Sequence, residues 1–370
     1  MRAIQKILAA LTAAGMLAGM LAGCGSTGAT ASATAPSTEP ETTQAITAAA
    51  VEETSAPENT GGKRTQYPLT ISTYNYAKEP VTFTFEKAPQ RVFAQNQNNI
   101  ETLLALGLAD KIVGAFGGSS VKTGKWKEEF SKVNYYESQP SKEDIIALEP
   151  DFITGWYSTF SDKRLGDVDF WHERGIGTYM SLNSACRGPA AENPQTVDHE
   201  CQDILTLGMI FDVQDKAEEI VAEIKGEISK VEDYLADKDR LTVAVLEDEG
   251  GTYRVYGEDV LGGNVAMAGG ADLAVGKHGN TGNISAEDLI AANPDAIFMV
   301  WYGGYSVNDT DYAGDQVIEL ITKNPAFASL DAVKNNRVFP VNLSYAYCTG
   351  MCTADAVRYY AQSLYPELYQ

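Results

Sequence analysis

The sequence predicts an α/β protein of two lobes, each built on a central, mostly parallel sheet, with one long helix joining them. Three observations predict this fold. The chain of 370 residues exceeds one ordinary core, a segment of its first half is repeated in its second half, and a long amphipathic pattern separates the two copies. The expected units are an N-terminal lobe at 67–213, a bridging helix at 214–239 and a C-terminal lobe at 240–370.

The first 23 residues have the pattern of an export signal. A basic start leads into the apolar run from Ile7 to Leu21, which is shorter than the roughly 20 residues that cross a bilayer and ends in small residues. The ending Leu-Ala-Gly-Cys24 resembles the bacterial lipobox, in which the signal is cleaved and the cysteine carries lipid. We therefore predict a signal peptide at 1–23 and a lipid on Cys24.

Residues 24–66 are predicted to form a disordered tether. They are mostly Thr, Ala, Ser, Pro, Glu and Gly with almost no large apolar side chain, so burial cannot offset the entropy of ordering. Such a spacer lets a globular body move away from its lipid anchor, as is typical of Gram-positive surface lipoproteins. The predicted location is the outer face of the cell membrane.

The charge of the chain excludes one class of partner. It carries 50 acidic and 28 basic side chains, a formal net charge of -22, which repels nucleic acid and offers no polybasic patch for anionic lipid. The same acidity favours solubility at a cell surface.

Four cysteines remain once Cys24 is lipidated, and an exported chain favours disulfides. Of the three pairings we expect Cys186 with Cys201 and Cys348 with Cys352, because a bond between the halves would prevent the lobes from moving. Cys348 and Cys352 also fit a redox or metal pair, although no third or fourth ligand stands nearby in the sequence.

The internal repeat defines one helix–strand unit in each lobe. Residues 141–153 and 285–297 have identical Ser, Glu, Asp, Ile, Ala, Pro, Asp and Ile at matching positions. Each copy predicts a short helix with a Ser N-cap and an Asp three residues on, a Pro stop and then a buried strand. Helix–strand alternation of this kind is typical of Rossmann-like lobes with parallel sheets.

Further strands are predicted from β-rich runs between turn residues. In the first lobe they are a hairpin of 69–76 with 81–87 and strands starting near Arg91, Lys111, Phe152 and Ile176. In the second lobe they are 241–247, 252–257, 273–276, 296–302 and 337–342, and a helix at 354–364 closes the chain.

A long helix is predicted between the two copies of the repeat. Residues 215–237 have apolar side chains at steps of three and four and no proline. At 1.5 Å per residue this segment spans roughly 35 Å, enough to run from one lobe to the other. An ordinary amphipathic surface helix has the same pattern, but the position between the copies favours a bridge.

Several motifs from Ala88 onward resemble those of a known family. They are Ala88-Pro-Gln-Arg-Val, the spaced run from Glu101 to Gly114, the two repeat segments, the long helix and Asn335-Asn-Arg-Val. In this order they are similar to the iron-siderophore, haem and vitamin B12 class of ABC substrate-binding proteins. The resemblance implies lobes that open by a small hinge motion and a monomer without cofactor or catalytic activity. Its implied partners are a chelate ligand, an importer permease and the ATPase of that importer.

One glutamate on each lobe pairs with permease arginines in this family, and the matching residues are Glu143 and Glu287. An acid in a first helical turn is also favoured by the helix dipole alone. Asp144 and Asp288 fit the capping role, which leaves the two glutamates free to face outward.

The ligand is expected where strands of both lobes end at their carboxyl edges, the usual crevice of open α/β sheets. The candidate residues there are Gln95, Asn96, Trp156, Tyr157, Arg187, Tyr253, Arg254, Trp301, Tyr302, Tyr305, Tyr345 and Tyr347. The repeat makes Trp156 and Trp301 counterparts, so two aromatic plates are expected to face each other across a bulky ligand. Any one of these rings equally fits a place in the core of a lobe.

Three chelates stay open as the ligand. A ferric siderophore comes first by its frequency in the class, and a corrinoid second because of the paired aromatics. Haem needs an axial ligand such as Tyr345, Met351 or His278.

Other functions are less well supported by the sequence. A bare zinc or manganese site needs clustered ligands, and the three histidines at 172, 199 and 278 fall in separate segments. Residues 118–126 only mimic a P-loop, and no catalytic motif emerges. A surface adhesin would share the anchor and tether but would not need duplicated α/β lobes.

Overall fold

Two five-stranded sheets, one before and one after a long helix in chain order, form the framework of the protein. The computed structural model describes residues 64–122, 124–186, 194–277, 282–301, 313–347 and 350–370. All of them belong to one unit at residues 58–370. The predicted α/β fold with two parallel-sheet lobes is confirmed.

The first sheet is entirely parallel. Its strands are β3 Val92–Gln95, β4 Ile112–Phe116, β5 Tyr135–Tyr136, β6 Phe152–Gly155 and β7 Gly177–Met180, in the order β5-β4-β3-β6-β7. A hairpin of β1 Leu69–Tyr74 and β2 Pro80–Phe85 packs beside it, and the Met180 N–H donates to Thr73 Oγ1 at 3.0 Å. The helices of this half are α1 Gln97–Ala105, α2 Lys127–Phe130, α3 Lys142–Ala147, α4 Val168–His172, α5 Leu182–Ala185 and α6 Val197–Phe211.

The second sheet is parallel except for one strand. Its strands are β8 Thr242–Asp248, β9 Tyr253–Val255, β10 Asp272–Leu273, β11 Ala296–Trp301 and β12 Val338–Asn342. The order is β10-β8-β11-β12, and β9 pairs antiparallel with β8. Every residue of β11 is buried, as a strand covered on both faces requires. Between these two halves lies α7 Gln214–Leu235, and the later helices are α8 Leu261–Ala268, α9 Ala286–Ala292, α10 Ala313–Thr322, α11 Asp331–Lys334, α12 Leu343–Ala346 and α13 Thr353–Leu364.

The two repeat helices, α3 and α9, begin and end in the same way. Ser141 and Ser285 are their N-caps, and each forms a capping box with the Asp three residues on. Both helices are followed by a residue with positive φ, Glu149 at 49° and Asn293 at 39°, and then by Pro. The left-handed residue turns the chain out of the helix, and Pro cannot continue it, so the same local signals produce the same unit twice.

Helix α7 joins the two sheets through a shared core. Its buried side chains at steps of three and four, among them Ile220, Ile224 and Val231, belong to one apolar cluster that includes strands of both sheets. At the C-terminal side, Arg358 of α13 donates to Glu227 of α7 at 2.7 Å. The prediction of a bridging helix is therefore confirmed, and the helix is part of the core of both lobes.

Two helix glycines differ in how closely the surrounding backbone approaches them. A Cβ at Gly263 of α8 would lie 2.0 Å from the Gly257 carbonyl oxygen, whereas a Cβ at Gly226 of α7 would meet nothing within 4 Å. We expect Gly263→Ala to lower the free energy of unfolding by roughly 1–3 kcal/mol, because the backbone cannot move aside. Gly226→Ala should raise it by about 0.5–1 kcal/mol, because alanine has the better helix propensity. Urea unfolding of both variants measures the difference, and equal effects would contradict the packing described.

Candidate functional site

A small cavity lies where strand ends of the first lobe meet the second lobe. Its volume is ≈ 20 Å³, which holds about one water molecule. It is lined by Asn98, Trp156, Ser181, Asn183, Ser184, Gln195, Glu200, Leu261 and Tyr347. Trp156 directly follows β6 and Ser181 directly follows β7, so the cavity lies at the carboxyl edge of the first sheet, where the crevice was predicted.

Two aromatic rings from different lobes meet at this cavity. Trp156 and Tyr347 pack edge to face with ring centroids 5.9 Å apart, a geometry that aromatic pairs favour. The Trp156 indole N–H donates to Asn98 Oδ1 at 2.7 Å, and Tyr347 also contacts the Tyr256 ring at 6.5 Å. The two rings therefore form an aromatic contact between the lobes, fixed on one side by a hydrogen bond.

Backbone groups of the second lobe are held by buried side chains of the first. The Gly350 N–H donates to Glu200 Oε2 at 2.7 Å, and the Leu261 N–H donates to Gln195 Oε1 at 3.2 Å. A Cβ at Gly350 would lie 2.9 Å from Asn98 Cβ, so only glycine fits this approach. In this structure the lobes are in direct contact beside the cavity.

Helix α6 carries two buried acids, and one of them, Glu200, takes part in this contact. Glu200 accepts from Asn183 Nδ2 at 2.5 Å in addition to the Gly350 N–H, and Asp203 accepts from the Tyr179 hydroxyl at 2.7 Å. Burial raises the pKa of the Glu200 carboxyl above its ordinary value, although both hydrogen bonds oppose the shift. Burial and the nearby Glu200 raise the pKa of Asp203 well above its ordinary value. The stabilising contribution of each acid is thus fully present below its ordinary pKa and is lost as pH rises through the raised pKa.

We expect Glu200→Gln to loosen the lobe contact. A Gln side chain has one acceptor oxygen for two donors, so either Gly350 N–H or Asn183 Nδ2 would face an NH₂ group, at a cost of about 1–3 kcal/mol. Hydrogen exchange of the Gly350 amide should become at least about tenfold faster. Glu173→Gln, at an exposed position of the same lobe, serves as the control. Unchanged exchange at Gly350 would show that Glu200 does not hold this contact.

Among the other predicted ligand residues, two are structural and one lies at an exposed aromatic contact. Gln95 is fully buried and donates to Gln139 Oε1 at 3.1 Å. Asn96 accepts through Oδ1 from the Trp156 backbone N–H at 3.0 Å and so shapes the turn that carries the indole. Tyr157 stacks on the exposed Tyr76 with centroids 6.1 Å apart.

Of the predicted ligand-binding residues in the second lobe that the structure describes, Tyr347 lines the cavity and the others lie elsewhere. Tyr253 is 5% exposed and packs on Phe327 in the core of the second lobe, which corrects its predicted place in the cleft. Arg254 pairs with Glu247 at 3.7 Å. Trp301 is buried at the end of β11, its indole N–H has no partner among the described residues, and it lines a separate cavity of ≈ 420 Å³.

Other predicted residues lie elsewhere or outside the described ranges. The Tyr345 ring contacts Tyr359 at 5.9 Å, and its burial raises its hydroxyl pKa. The predictions that fall outside the described residues concern Cys24, Arg187, Tyr302, Tyr305 and Cys348. The ring that meets Trp156 is Tyr347, whereas Trp301, which was expected to face Trp156 across the ligand, lines a different cavity.

Apart from Leu261, the lining residues that the sequence did not suggest are polar. Asn98, Ser181, Ser184, Gln195 and Glu200 were not predicted as part of the site. Ser181 follows β7 directly, so the rule that ligands bind at carboxyl strand ends could have identified it. Gln195 and Glu200 reach the cavity from the approach to α6 and from α6 itself, far from any strand end, and no local signal marks them.

The predicted disulfide between Cys186 and Cys201 is absent, since both are free thiols. Cys186 Sγ lies 3.8 Å from His199 Nδ1 on α6. Cys201 is two residues further along that helix, about 200° around its axis, where it is buried in the core. Cys352 Sγ lies 3.8 Å from Glu101 Oε2; its expected partner Cys348 lies outside the described residues, so the Cys348–Cys352 bond stays a prediction.

A bare-metal site finds no support in the described ranges. Nowhere in them do three His, Cys, Asp or Glu side chains lie close enough together to hold an ion. The His172 side chain is engaged in a hydrogen bond between its Nε2 and Thr178 Oγ1 at 2.8 Å, and burial lowers the pKa of its imidazole.

The two repeat glutamates are exposed. Glu143 and Glu287 occupy the second position of α3 and α9, while the capping roles fall to Asp144 and Asp288. The Ser hydrogen bonds lower the pKa of both capping carboxyls. Neither glutamate has an ion-pair or hydrogen-bond partner among the described residues, so both carboxylates are available to an external partner.

Comparison with known proteins agrees with this architecture. The family model described as "Periplasmic binding protein" matches residues 92–342, more than half of the chain. An uncharacterized ABC transporter substrate-binding lipoprotein of Bacillus subtilis, YvrC, is 22% identical over 82% of this chain and 88% of its own. The ferric-anguibactin-binding protein FatB of Vibrio anguillarum is 26% identical over 70% of this chain and 77% of its own.

A solved structure extends the comparison to three dimensions. The crystal structure of a periplasmic binding protein from Veillonella parvula superposes with a TM-score of 0.74 at 29% identity. The match covers 83% of this chain and 94% of that chain. The chain therefore belongs to the periplasmic binding protein family, the substrate-binding proteins of ABC import.

Proposed function

We propose that this substrate-binding protein carries a ferric chelate of the siderophore type between its two lobes. The observation that carries the proposal is the cavity to which both lobes contribute, with Trp156 and Tyr347 in contact across it. The similarity to a ferric-anguibactin-binding protein favours a ferric chelate. Haem or a corrinoid bound in the same place is the alternative.

Binding of such a ligand requires the lobes to separate. Sites for small molecules of this size enclose roughly 300–1,000 Å³, whereas the cavity measures ≈ 20 Å³. The contacts that must part include the aromatic pair, the backbone hydrogen bonds to Glu200 and Gln195, and the hydrogen bond from the Val197 N–H to Asn264 Oδ1 at 2.8 Å. Helix α7 and its shared core keep the lobes joined, which favours a small hinge motion over a wide opening.

Docking on the permease is assigned to Glu143 and Glu287. A helix that connects two parallel strands starts at the carboxyl edge of the sheet. Helices α3 and α9 precede the parallel strands β6 and β11, so both glutamates lie on the edge where the ligand cavity opens. A permease that contacts both glutamates would thus face the ligand, and its basic side chains would pair with the free carboxylates.

The remaining parts of the proposal concern the N-terminus and the domain limits. We propose a cleaved signal at 1–23, lipid on Cys24 and a tether at 24–66, in agreement with the lipoprotein description of YvrC. The lobes are assigned to 67–213 and 240–370, and the protein is proposed to act as a monomer at the outer face of the membrane. Across the described residues, no helix is both long and apolar enough to span a bilayer.

Tryptophan-fluorescence titration tests the ligand. The protein should bind at least one member of a panel of ferric hydroxamate and catecholate siderophores at one site per chain, because Trp156 lies in the proposed site. Haem or cobalamin binding would select the alternative ligands. Binding of zinc or manganese with none of the chelates would overturn the assignment.

A further inference from the structure

Two isoleucines on the protein surface occupy the same position of the internal repeat. Ile146 is 42% exposed and Ile290 is 37% exposed. Only five large apolar side chains are exposed among the described residues, the others being Tyr76, Met209 and Leu320. That two of the five are repeat counterparts indicates a shared cause for their exposure.

Each isoleucine lies beside one of the free glutamates. Glu143 and Ile146 are three residues apart on α3, and Glu287 and Ile290 are three residues apart on α9, so each pair lies on one helix face. The preceding residues, Ile145 and Leu289, are fully buried and attach the helices to their lobes. The apolar packing of each helix is thus already satisfied, and the exposed isoleucine is additional to it.

The two copies are not identical at every position. The second position of the repeat is Lys142 in one copy and Ala286 in the other, and the residue before Pro is Glu149 or Asn293. The exposed Glu and the exposed Ile are the same in both. The recurrence of an exposed isoleucine beside an exposed glutamate in both lobes, and not the exposure of a single isoleucine, favours a surface that another protein covers.

We infer that Ile146 and Ile290 are apolar anchors for the importer permease, each completing a docking patch with its neighbouring glutamate. The inference rests on the proposed docking role of Glu143 and Glu287, and it adds that the partner must have apolar surface beside its basic side chains. That partner is a membrane protein that presents a basic side chain next to an apolar surface, at two places. The charge pairs steer and orient the partner, and burial of the isoleucines slows its dissociation.

Site-specific photo-crosslinking in the producing cells tests the anchors. p-Benzoylphenylalanine replaces one residue at a time at positions 143, 146, 287 and 290 of the full chain, and at Met209 as an exposed apolar control on α6. We expect crosslinks to an ABC permease subunit from all four repeat positions and none from 209. Crosslinks from 143 and 287 but not from 146 and 290 would overturn the role of the isoleucines and leave the docking role of the glutamates standing. The absence of crosslinks from all four would overturn the docking role as well, and a crosslink to a second copy of this chain would indicate self-association instead.

Affinity measurements separate the two contributions. The permease identified by crosslinking is reconstituted in vesicles without the crosslink, and the affinity of each variant for it is measured. The variant with both Ile146→Ser and Ile290→Ser should bind roughly tenfold or more weakly, because the two isoleucines no longer bury apolar surface against the permease. Met209→Ser should change the affinity less than about twofold, since a scattered surface side chain contributes little. Equal effects of the two substitutions would overturn the inference. A fluorescence titration with a ferric hydroxamate should give the same result for both variants, which excludes damage to the ligand site.

Discussion

Replacing Glu143 and Glu287 together by lysine is expected to abolish uptake of the chelate while its affinity for the protein stays unchanged. Both carboxylates are exposed and have no partner among the described residues, so folding does not depend on them. Each reversal places a positive charge against a basic side chain of the permease, which costs several kcal/mol of docking free energy. Uptake of iron-55 chelate by cells should fall at least about a hundredfold.

The matched control reverses two other exposed acids. Glu173 and Glu232 are exposed, and neither has an ion-pair partner among the described residues, so Glu173→Lys with Glu232→Lys changes the net charge by the same amount. We expect uptake close to that of the unchanged protein. A loss of uptake in the control would mean that net charge matters and not the repeat positions. A drop in ligand affinity in the Glu143 and Glu287 variant would place these acids in the binding site.

The parts of the fold that the sequence predicted are those fixed by neighbouring residues. Ser141 and Ser285 with an Asp three residues on form the capping boxes that their spacing predicted, because the donor and acceptor lie within one helical turn. The spacing of apolar residues in α7 likewise predicted both its length and its buried face.

The predictions that failed concern which way a side chain points and which distant residue in the sequence it meets. The strand ends were predicted well, but the sequence cannot show that Trp156 meets Tyr347 or that Tyr253 points into the core. For the cysteines, proximity along the chain was misleading, because Cys201 and His199 face opposite sides of α6 and only His199 faces Cys186.

The strongest effect on ligand binding is expected from Trp156→Ala combined with Tyr347→Ala. These rings now contact each other, and a contact of this kind is worth about 0.5–1.5 kcal/mol, so its removal alone would ease the opening of the lobes. Buried aromatic anchors in a binding site cost about 2 kcal/mol or more when truncated. The loss of two such contacts therefore outweighs the easier opening, and chelate affinity should fall roughly a hundredfold or more.

Two single variants show whether that loss is specific to the cavity. Tyr253→Phe keeps the core ring on Phe327 and removes only a hydroxyl, so chelate affinity should stay within about twofold of the unchanged protein. Trp301→Phe alters the separate cavity of ≈ 420 Å³ and should also leave affinity nearly unchanged. If titration instead shows a large loss for Trp301→Phe and none for the double variant, the chelate binds in the cavity beside the second sheet. Trp156 would then not contact the ligand, and the expectation that Trp156 and Trp301 face each other across it would be wrong. If affinity rises in the double variant, the aromatic contact serves to hold the lobes closed, and the ligand is bound by the polar residues around Asn98 and Glu200.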